Sequence, residues 1–307
     1  MTAEHISSRL KPLYGGVLLA PFTTFNIGGP CDYLYFAGDE KSLVFACSAA
    51  LGSGIRHMVL GGGSNILFSS AGYRGLIIKD DNSWIKIDGE ILEAGGGTNL
   101  WMLAETAARN SLGGLEACAG IRGNLAGAVA GNAGAYGKSV GDYIESVRFV
   151  DDSGTVREEG RDFCSFRYRH SVFKTIRAVI LSARFRLCKS DAGYLMHRII
   201  DDRQLRKAKH PEAKFCAGSF FKNIELGDGQ KLAAGRLLDE VKARAMSYGD
   251  AALSEKHSNF IVNRGRASSE DITGLAASLK LAVLKKSGRE LSPEVILLDE
   301  YGGLISL

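Results

Sequence analysis

No stretch of this 307-residue chain is long and apolar enough to span a bilayer. Near the N-terminus, His5, Arg9 and Lys11 are followed only by the short apolar run Val17 to Ala20, which is not the pattern of a secretory signal. Cysteine chemistry is sparse as well. Cys31, Cys47, Cys118, Cys164, Cys188 and Cys216 stand singly, with no CxxC pair and no Cys/His grouping at metal-ligand spacing. They read as buried thiols of a reducing compartment, and no metal site is expected. Charge of one sign is nearly balanced by the other: 38 basic against 34 acidic residues leave +4, too little to argue for nucleic acid. Repeats and low-complexity tails are missing too. These absences leave a cytoplasmic enzyme or binding protein of ordinary composition, 45% hydrophobic and 23% charged, long enough for two or three domains.

Glycine is what the chain has in excess, at 38 of 307 residues, about 12% where about 7% is usual. The run Gly113 to Gly137 is packed with Gly and Ala, lacks proline, and has Glu116 and Arg122 as its only charges. Such a run makes poor helix and poor strand. It suits a place where backbone lies close against something else. A phosphate-bearing cofactor, whose oxygens take main-chain N–H donors, is one such partner; a Gly/Ala-rich helix contact is the other reading. A second cluster, Leu60-Gly61-Gly62-Gly63-Ser64-Asn65, favours one extended ligand held at two points. A Rossmann unit would put its glycines after the first strand, and here they follow the second.

Along the chain, a short amphipathic helix is expected around Ile6, Leu10 and Leu13, then a strand at Asp32–Phe36. Asp39 or Ser42 should open a helix that Gly52 and Gly54 end, leading to a short strand at His57–Leu60. Strands follow at Leu76–Lys79, Trp84–Ile87 and Ile91–Ala94, and a helix over Asn99 to Asn110. Beyond the glycine run come strands Tyr143–Val150, Thr155–Arg157 and Ala178–Leu187. A basic helix, Tyr194 to Lys209, opens the last segment. It is followed by a helix from Leu232 to about Ala243, a strand Phe260–Asn263, a long helix Ile272 to Lys286 capped by Ser268 with Asp271 and closed by Gly288, and a strand Val295–Leu298.

Three phrases carry candidate chemistry. Phe166 to Lys174 concentrates cations and aromatics in a loop, although by itself it could equally be a solvated basic turn. Ala217-Gly218-Ser219-Phe220-Phe221-Lys222-Asn223 sets a serine at a glycine corner without the GxSxG frame, so a hydrolase triad is not expected. Glu294 follows Pro293 at the start of a buried-looking strand, where an unpartnered carboxylate would be costly.

Taken in order with the glycine loops, these phrases resemble the UDP-N-acetylenolpyruvoylglucosamine reductase family, flavoenzymes of peptidoglycan synthesis. The likeness runs through Thr24-Phe25 with Ile27-Gly28-Gly29, Gly61 to Asn65, Ala119-Gly120-Ile121, Asn132 to Gly137, Tyr168-Arg169 with Ser171, Gly218 to Asn223, Ser254 to Asn263, and Pro293-Glu294-Val295. Four positions depart from the family pattern: Arg122 and Ala126 stand where proline and glycine are usual, and Ile224 and Ala233 replace prolines.

The resemblance implies an α+β fold: a two-subdomain FAD-binding scaffold of the vanillyl-alcohol-oxidase/PCMH type plus a C-terminal α+β substrate domain. The expected parts are 1–70, 71–189 and 190–307, with the C-terminal strand (about 291–307) a candidate to pack back on the first subdomain. It implies non-covalent FAD with NADPH as hydride donor, UDP-N-acetylglucosamine enolpyruvate as substrate, and a cytoplasmic monomer with no nucleic-acid or membrane partner. The catalytic residues by resemblance are Arg169, Ser219 and Glu294. The cofactor contacts are Leu60, Gly61, Gly62, Gly63, Ser64, Asn65, Ala119, Gly120, Ile121, Gly123, Asn124, Gly127, Ala128, Asn132, Gly134 and Ala135. The substrate contacts are Tyr168, Arg206, Lys209, Lys222 and Asn223, for which a plain basic helix face is the rival reading of Arg206 and Lys209. The shorter family branch, without an inserted tyrosine-bearing loop, fits the compact Asn223–His257 interval best. Two alternatives remain at this stage: an FAD-dependent oxidase on the same scaffold, with Cys118 a distant candidate for covalent flavin, and a non-catalytic nucleotide-sugar-binding paralogue.

Overall fold

The computed structural model describes residues 3–211, 215–227 and 230–307. The chain divides into two compact units, each assembled from separate pieces: Met1–Tyr14, Tyr33–Gly62 and Leu76–Arg206 in one, Gly15–Asp32, Gly63–Gly75 and Lys207–Leu307 in the other. The expected boundary at 189/190 therefore differs from the structural one. The helix after it, Ala192–Lys209, buries Leu195 and Ile199 in the core of the first unit, which draws residues up to Arg206 into that unit.

The first unit has two cores. Around one, the helix Glu40–Ser53 lays Leu43, Ala46, Cys47 and Ala50 on Leu76 and Ile78. Asp39 caps it: its Oδ1 accepts from the Ser42 N–H at 2.7 Å while the Asp39 N–H donates to Ser42 Oγ at 3.1 Å. Gly54, at φ +67°, ends it. The chain returns as the strand His57–Leu60, parallel to Tyr73–Asp80 with His57 opposite Leu76 and Leu60 opposite Lys79.

The second core lies on an antiparallel five-stranded sheet. Its order is Val156–Gly160, Ile144–Val150, Val179–Arg186, Ile91–Gly95, Ile85–Asp88. Val147 pairs with Ala183, and Ala183 with Ala94. The helix Leu100–Arg109, capped by Asn99, covers it with Leu100, Leu103, Ala104 and Ala107. Part of the glycine run is helical after all, over Leu125–Gly131. Leu125, Ala128 and Val129 are buried in this core, and that tertiary burial outweighs the poor propensity of Gly127 and Gly131.

The second unit builds its core from the long helix Ser269–Ser287, the short helix Ala234–Glu240 and small sheets. Ser247–Tyr248, Ala251–Leu253 and Ile261–Asn263 pair antiparallel. Ile296–Leu298 lies parallel to Ile66–Phe68, so the C-terminal strand pairs within the 1–70 stretch. Ile66–Phe68 and Ala251–Leu253 are strands too short to stand out in sequence.

No described helix is long and apolar enough to cross a membrane, and no group of His, Cys, Asp and Glu among the described residues could hold a metal ion. Five cysteines are buried as expected; Cys188 is exposed.

Candidate active site

In the first unit the two glycine loops meet. A methyl group on Gly62 would lie 2.9 Å from Asn124 Oδ1 and 3.2 Å from Gly123 Cα; one on Gly61 would lie 3.6 Å from Asn124 Cβ. Side chains there would fill the space between the loops, which is the property a backbone cradle for phosphate needs. Leu60 ends its strand buried beneath this point. Gly63, counted with the second unit, has φ +59°, and a side chain there would strike the Phe22 carbonyl. Its own carbonyl accepts from the Thr24 N–H at 3.0 Å.

The second loop rests on a third glycine cluster. Ala126 N–H donates to Gly96 O and Leu125 N–H to Thr98 O, both at 2.9 Å, and Leu100 N–H donates to Gly123 O at 3.1 Å. This cluster, Gly95-Gly96-Gly97, closes the strand Ile91–Gly95 and has no part in the sequence expectations. Ala119 and Ala128 are buried, and Ile121 packs on the core, so they shape the loop from behind. Asn132 adopts φ +43° and uses its amide within the protein: Oδ1 accepts from Gly141 N–H at 3.1 Å and Nδ2 donates to Arg167 O at 2.9 Å. Gly134 and Ala135 form one arm of a small hairpin. Gly127 points to open space.

Arg169 sits on a turn closed on both sides, Arg167 N–H to His170 O at 3.0 Å and His170 N–H to Arg167 O at 3.1 Å. Its φ is +53°, where glycine is normally needed, at a cost of about 1–2 kcal/mol for a residue with a Cβ. Such strain persists only where the surroundings impose it. One of those surroundings is the Gly134 carbonyl, which accepts from Arg169 Nη1 at 3.2 Å; the guanidinium also lies 5.5 Å from the Tyr168 ring centre. Arg206 turns inward onto Gly120: a side chain on Gly120 would run into Arg206 Cδ and lie 3.0 Å from its Nε. Burial pushes the Arg206 guanidinium below its ordinary pKa, and Arg122 and Arg169 push it in the same direction, while Tyr136 and Asp202 oppose them. A basic solvent face thus describes Lys209, which is exposed, and not Arg206. Asp202 had no sequence signal, because only the fold brings it to these arginines; Tyr136 lies in the phrase Asn132 to Gly137 that carries the resemblance, but with no role read for it there.

In the second unit, Ser219 and Glu294 come together. Glu294 N–H donates to Phe220 O at 2.8 Å, Phe221 bridges Pro293, and Lys222 N–H donates to Ser292 O at 2.9 Å. These bonds register the serine loop against the glutamate strand. Asn65 Nδ2 donates to Glu294 O at 3.1 Å, tying the first glycine loop's end to the same strand. Asn223 Oδ1 accepts from Ala234 N–H at 3.1 Å, capping the helix whose own cap position, Ala233, has no polar side chain.

Two family models match separate segments of the chain. The FAD binding domain model matches residues 31–160, and the model for the C-terminal domain of UDP-N-acetylenolpyruvoylglucosamine reductase matches residues 210–298. Reductases of that name from Solibacter usitatus and Carboxydothermus hydrogenoformans are each 35% identical to this chain. The matches span 90% and 97% of this chain and 94% and 98% of theirs. The solved UDP-N-acetylenolpyruvylglucosamine reductase of Thermus caldophilus matches at a TM-score of 0.77 and 30% identity, over 92% of this chain and 97% of that one. A Bermuda grass pollen isoallergen, 13% identical with a TM-score of 0.51, shares the fold alone. Identity of this kind, sustained over nearly the whole of each chain and through both segments in order, places the protein in the UDP-N-acetylenolpyruvoylglucosamine reductase family.

Proposed function

We propose that this protein is an FAD-containing, NADPH-dependent reductase that converts UDP-N-acetylglucosamine enolpyruvate to UDP-N-acetylmuramate for peptidoglycan synthesis, acting as a monomer in the cytoplasm. The observation that carries the reading is the backbone pairing that holds the Ser219 loop against Glu294. The facing Gly61-Gly62 and Gly123-Asn124 backbones fit the pyrophosphate of FAD, since a Cβ on Gly62 would lie 2.9 Å from Asn124 Oδ1 and close the space between them. When bound, the flavin supplies the hydride, taken from NADPH, to the terminal carbon of the enol ether.

The residues of this chain then handle charge and one proton. Negative charge develops at the ether-bearing carbon and spreads into its carboxylate. Arg169 binds that carboxylate with a planar fork, aimed by its turn and by Gly134 O. Glu294 orients and polarises the same group. Ser219 donates the proton to the ether-bearing carbon; its hydroxyl makes no hydrogen bond among the described residues and is free to turn toward substrate. Tyr168, Arg206, Lys209, Lys222 and Asn223 bind the remainder of the sugar nucleotide.

The oxidase alternative finds no support at Cys118, which is 2% exposed and whose thiol burial pushes up to about 12. The purified protein should be yellow, bleach with NADPH without oxygen, and regain colour on adding the enolpyruvyl substrate. Colour that returns only with oxygen, or stays with the acid-precipitated chain, would overturn the assignment.

A further inference from the structure

The phrase Ser254 to Asn263 carries part of the family likeness, yet none of its side chains has a task in the site described above. Asn259 lies within it, 3% exposed. Its backbone carbonyl accepts from the Phe220 N–H at 2.7 Å, its Oδ1 accepts from the Phe221 N–H at 2.9 Å, and its Nδ2 donates to Phe221 O at 2.8 Å. The side-chain amide therefore meets both backbone groups of Phe221, as a neighbouring strand would. The one backbone group of Asn259 left, its N–H, donates to His257 Nδ1 at 3.1 Å. Phe260 N–H closes the turn that holds these two residues, donating to His257 O at 3.1 Å.

The dipeptide after Ser219 is thus clamped from two sides: by Asn259, and by Glu294, whose N–H donates to Phe220 O at 2.8 Å. Phe220 and Phe221 are each 1% exposed, so water does not replace these bonds when one is lost. We propose that Asn259 is a positioning residue for the proton donated by Ser219, and that neutral His257 holds Asn259 in that role by accepting its backbone N–H. The inference rests on the proposed function and adds two residues which that reading did not require.

An N–H donor needs a lone pair on Nδ1, so the proton of the neutral ring sits on Nε2. Protonation of Nδ1 would set two donors against each other and release Asn259. The charged and titratable groups set around the ring are Asp239 on the helix Ala234–Glu240, Arg244 in the turn Ala243–Ala245, and the His210 ring, whose centre lies 5.4 Å away. Burial pushes His257 below the ordinary imidazole value of 6.5; Asp239 opposes that shift and Arg244 adds to it. The neutral ring therefore persists to lower pH than an exposed imidazole, and the clamp holds through the neutral range.

The test uses the FAD-loaded full chain, NADPH and the enolpyruvyl substrate, with the two half-reactions followed separately by stopped flow. Asn259→Asp keeps the acceptor for Phe221 N–H but sets a carboxylate oxygen against Phe221 O. Flavin reduction should stay within about twofold of wild type while reoxidation by substrate slows about a hundredfold, the cost of misplacing a reacting group by about 1 Å. On a Ser219→Ala background the same change should cost less than about threefold, because its effect passes through the serine. His257→Asn keeps an acceptor near Nδ1 that does not titrate. Its reoxidation rate should match wild type at neutral pH and persist at acid pH, where that of wild type declines. Unchanged reoxidation in Asn259→Asp, equal slowing of both half-reactions, or an undiminished further loss on top of Ser219→Ala would overturn the inference and leave the reductase reading intact. So would identical acid profiles in wild type and His257→Asn, a comparison that decides by itself where Asn259→Asp fails to fold. Wild-type flavin that the substrate does not reoxidise without oxygen would overturn the reductase reading, and this inference with it.

Discussion

Ser219 is where binding and chemistry separate most cleanly. In Ser219→Ala, NADPH oxidation by the flavoprotein should proceed at close to the wild-type rate. Turnover of the enolpyruvyl substrate should fall about a hundred- to ten-thousand-fold, the range for losing a general acid. Stopped-flow records of the two half-reactions check this, and equal slowing of both would remove Ser219 from the acid's role. Asp80 poses a different residue-scale problem. Only 1% exposed, it uses Oδ1 to accept from the Asn82 N–H at 3.0 Å, while Oδ2 lies buried with no partner among the described residues. Burial raises its pKa from 3.8 to about 6. Between those values the folded protein holds a proton that the unfolded chain has released. Stability from this group is therefore full below about pH 4 and is lost as pH rises through about 6. The loss is on the order of 3 kcal/mol at neutral pH. Asp80→Asn should remove that pH dependence, so thermal unfolding of wild type should fall relative to the variant between pH 4 and 7. Parallel curves would refute the assignment.

Helix ends show how far local chemistry reaches. Ser268 accepts from the Asp271 N–H at 3.0 Å and its own N–H donates to Asp271 Oδ2 at 3.0 Å, opening Ser269–Ser287 as the sequence pattern indicates. Ser268→Ala should cost about 1 kcal/mol in denaturant unfolding, with activity retained. A change of under a few tenths would mean that Ser70, which exchanges hydrogen bonds with Ser269 across 199 residues, already holds this end. The glycine run behaves differently. Expected to avoid regular structure, it forms Leu125–Gly131 because three of its seven residues are buried in the core and two more pack against it. Caps are legible because donor and acceptor lie within four residues. The helix in the glycine run is not, because burial depends on strands far away in sequence.

At the scale of the whole molecule, flavin should behave as a removable ligand that stabilises the fold. Protein stripped of FAD and then reconstituted at a hundredfold excess over Kd should gain about 2.7 kcal/mol, several degrees in Tm. An unchanged Tm would mean that flavin does not bind the native state of this chain.

The sequence by itself determined the family, the α+β flavin scaffold and most helix and strand positions, and by resemblance nominated three catalytic residues. Each of these is written in short local patterns: caps, alternation, and phrases such as Gly218 to Asn223 whose order is itself the signal. Only the tertiary structure decided which residues share a unit. It took Gly15–Asp32 and Gly63–Gly75 into the unit of Ser219 and Glu294, and Ala192–Arg206 into that of Arg169. It also decided that Arg206 turns inward while Lys209 faces solvent, and that Asn223 caps a helix 11 residues away. Those outcomes depend on which surfaces are buried against which, and burial is set by contacts between distant segments that no window of sequence contains.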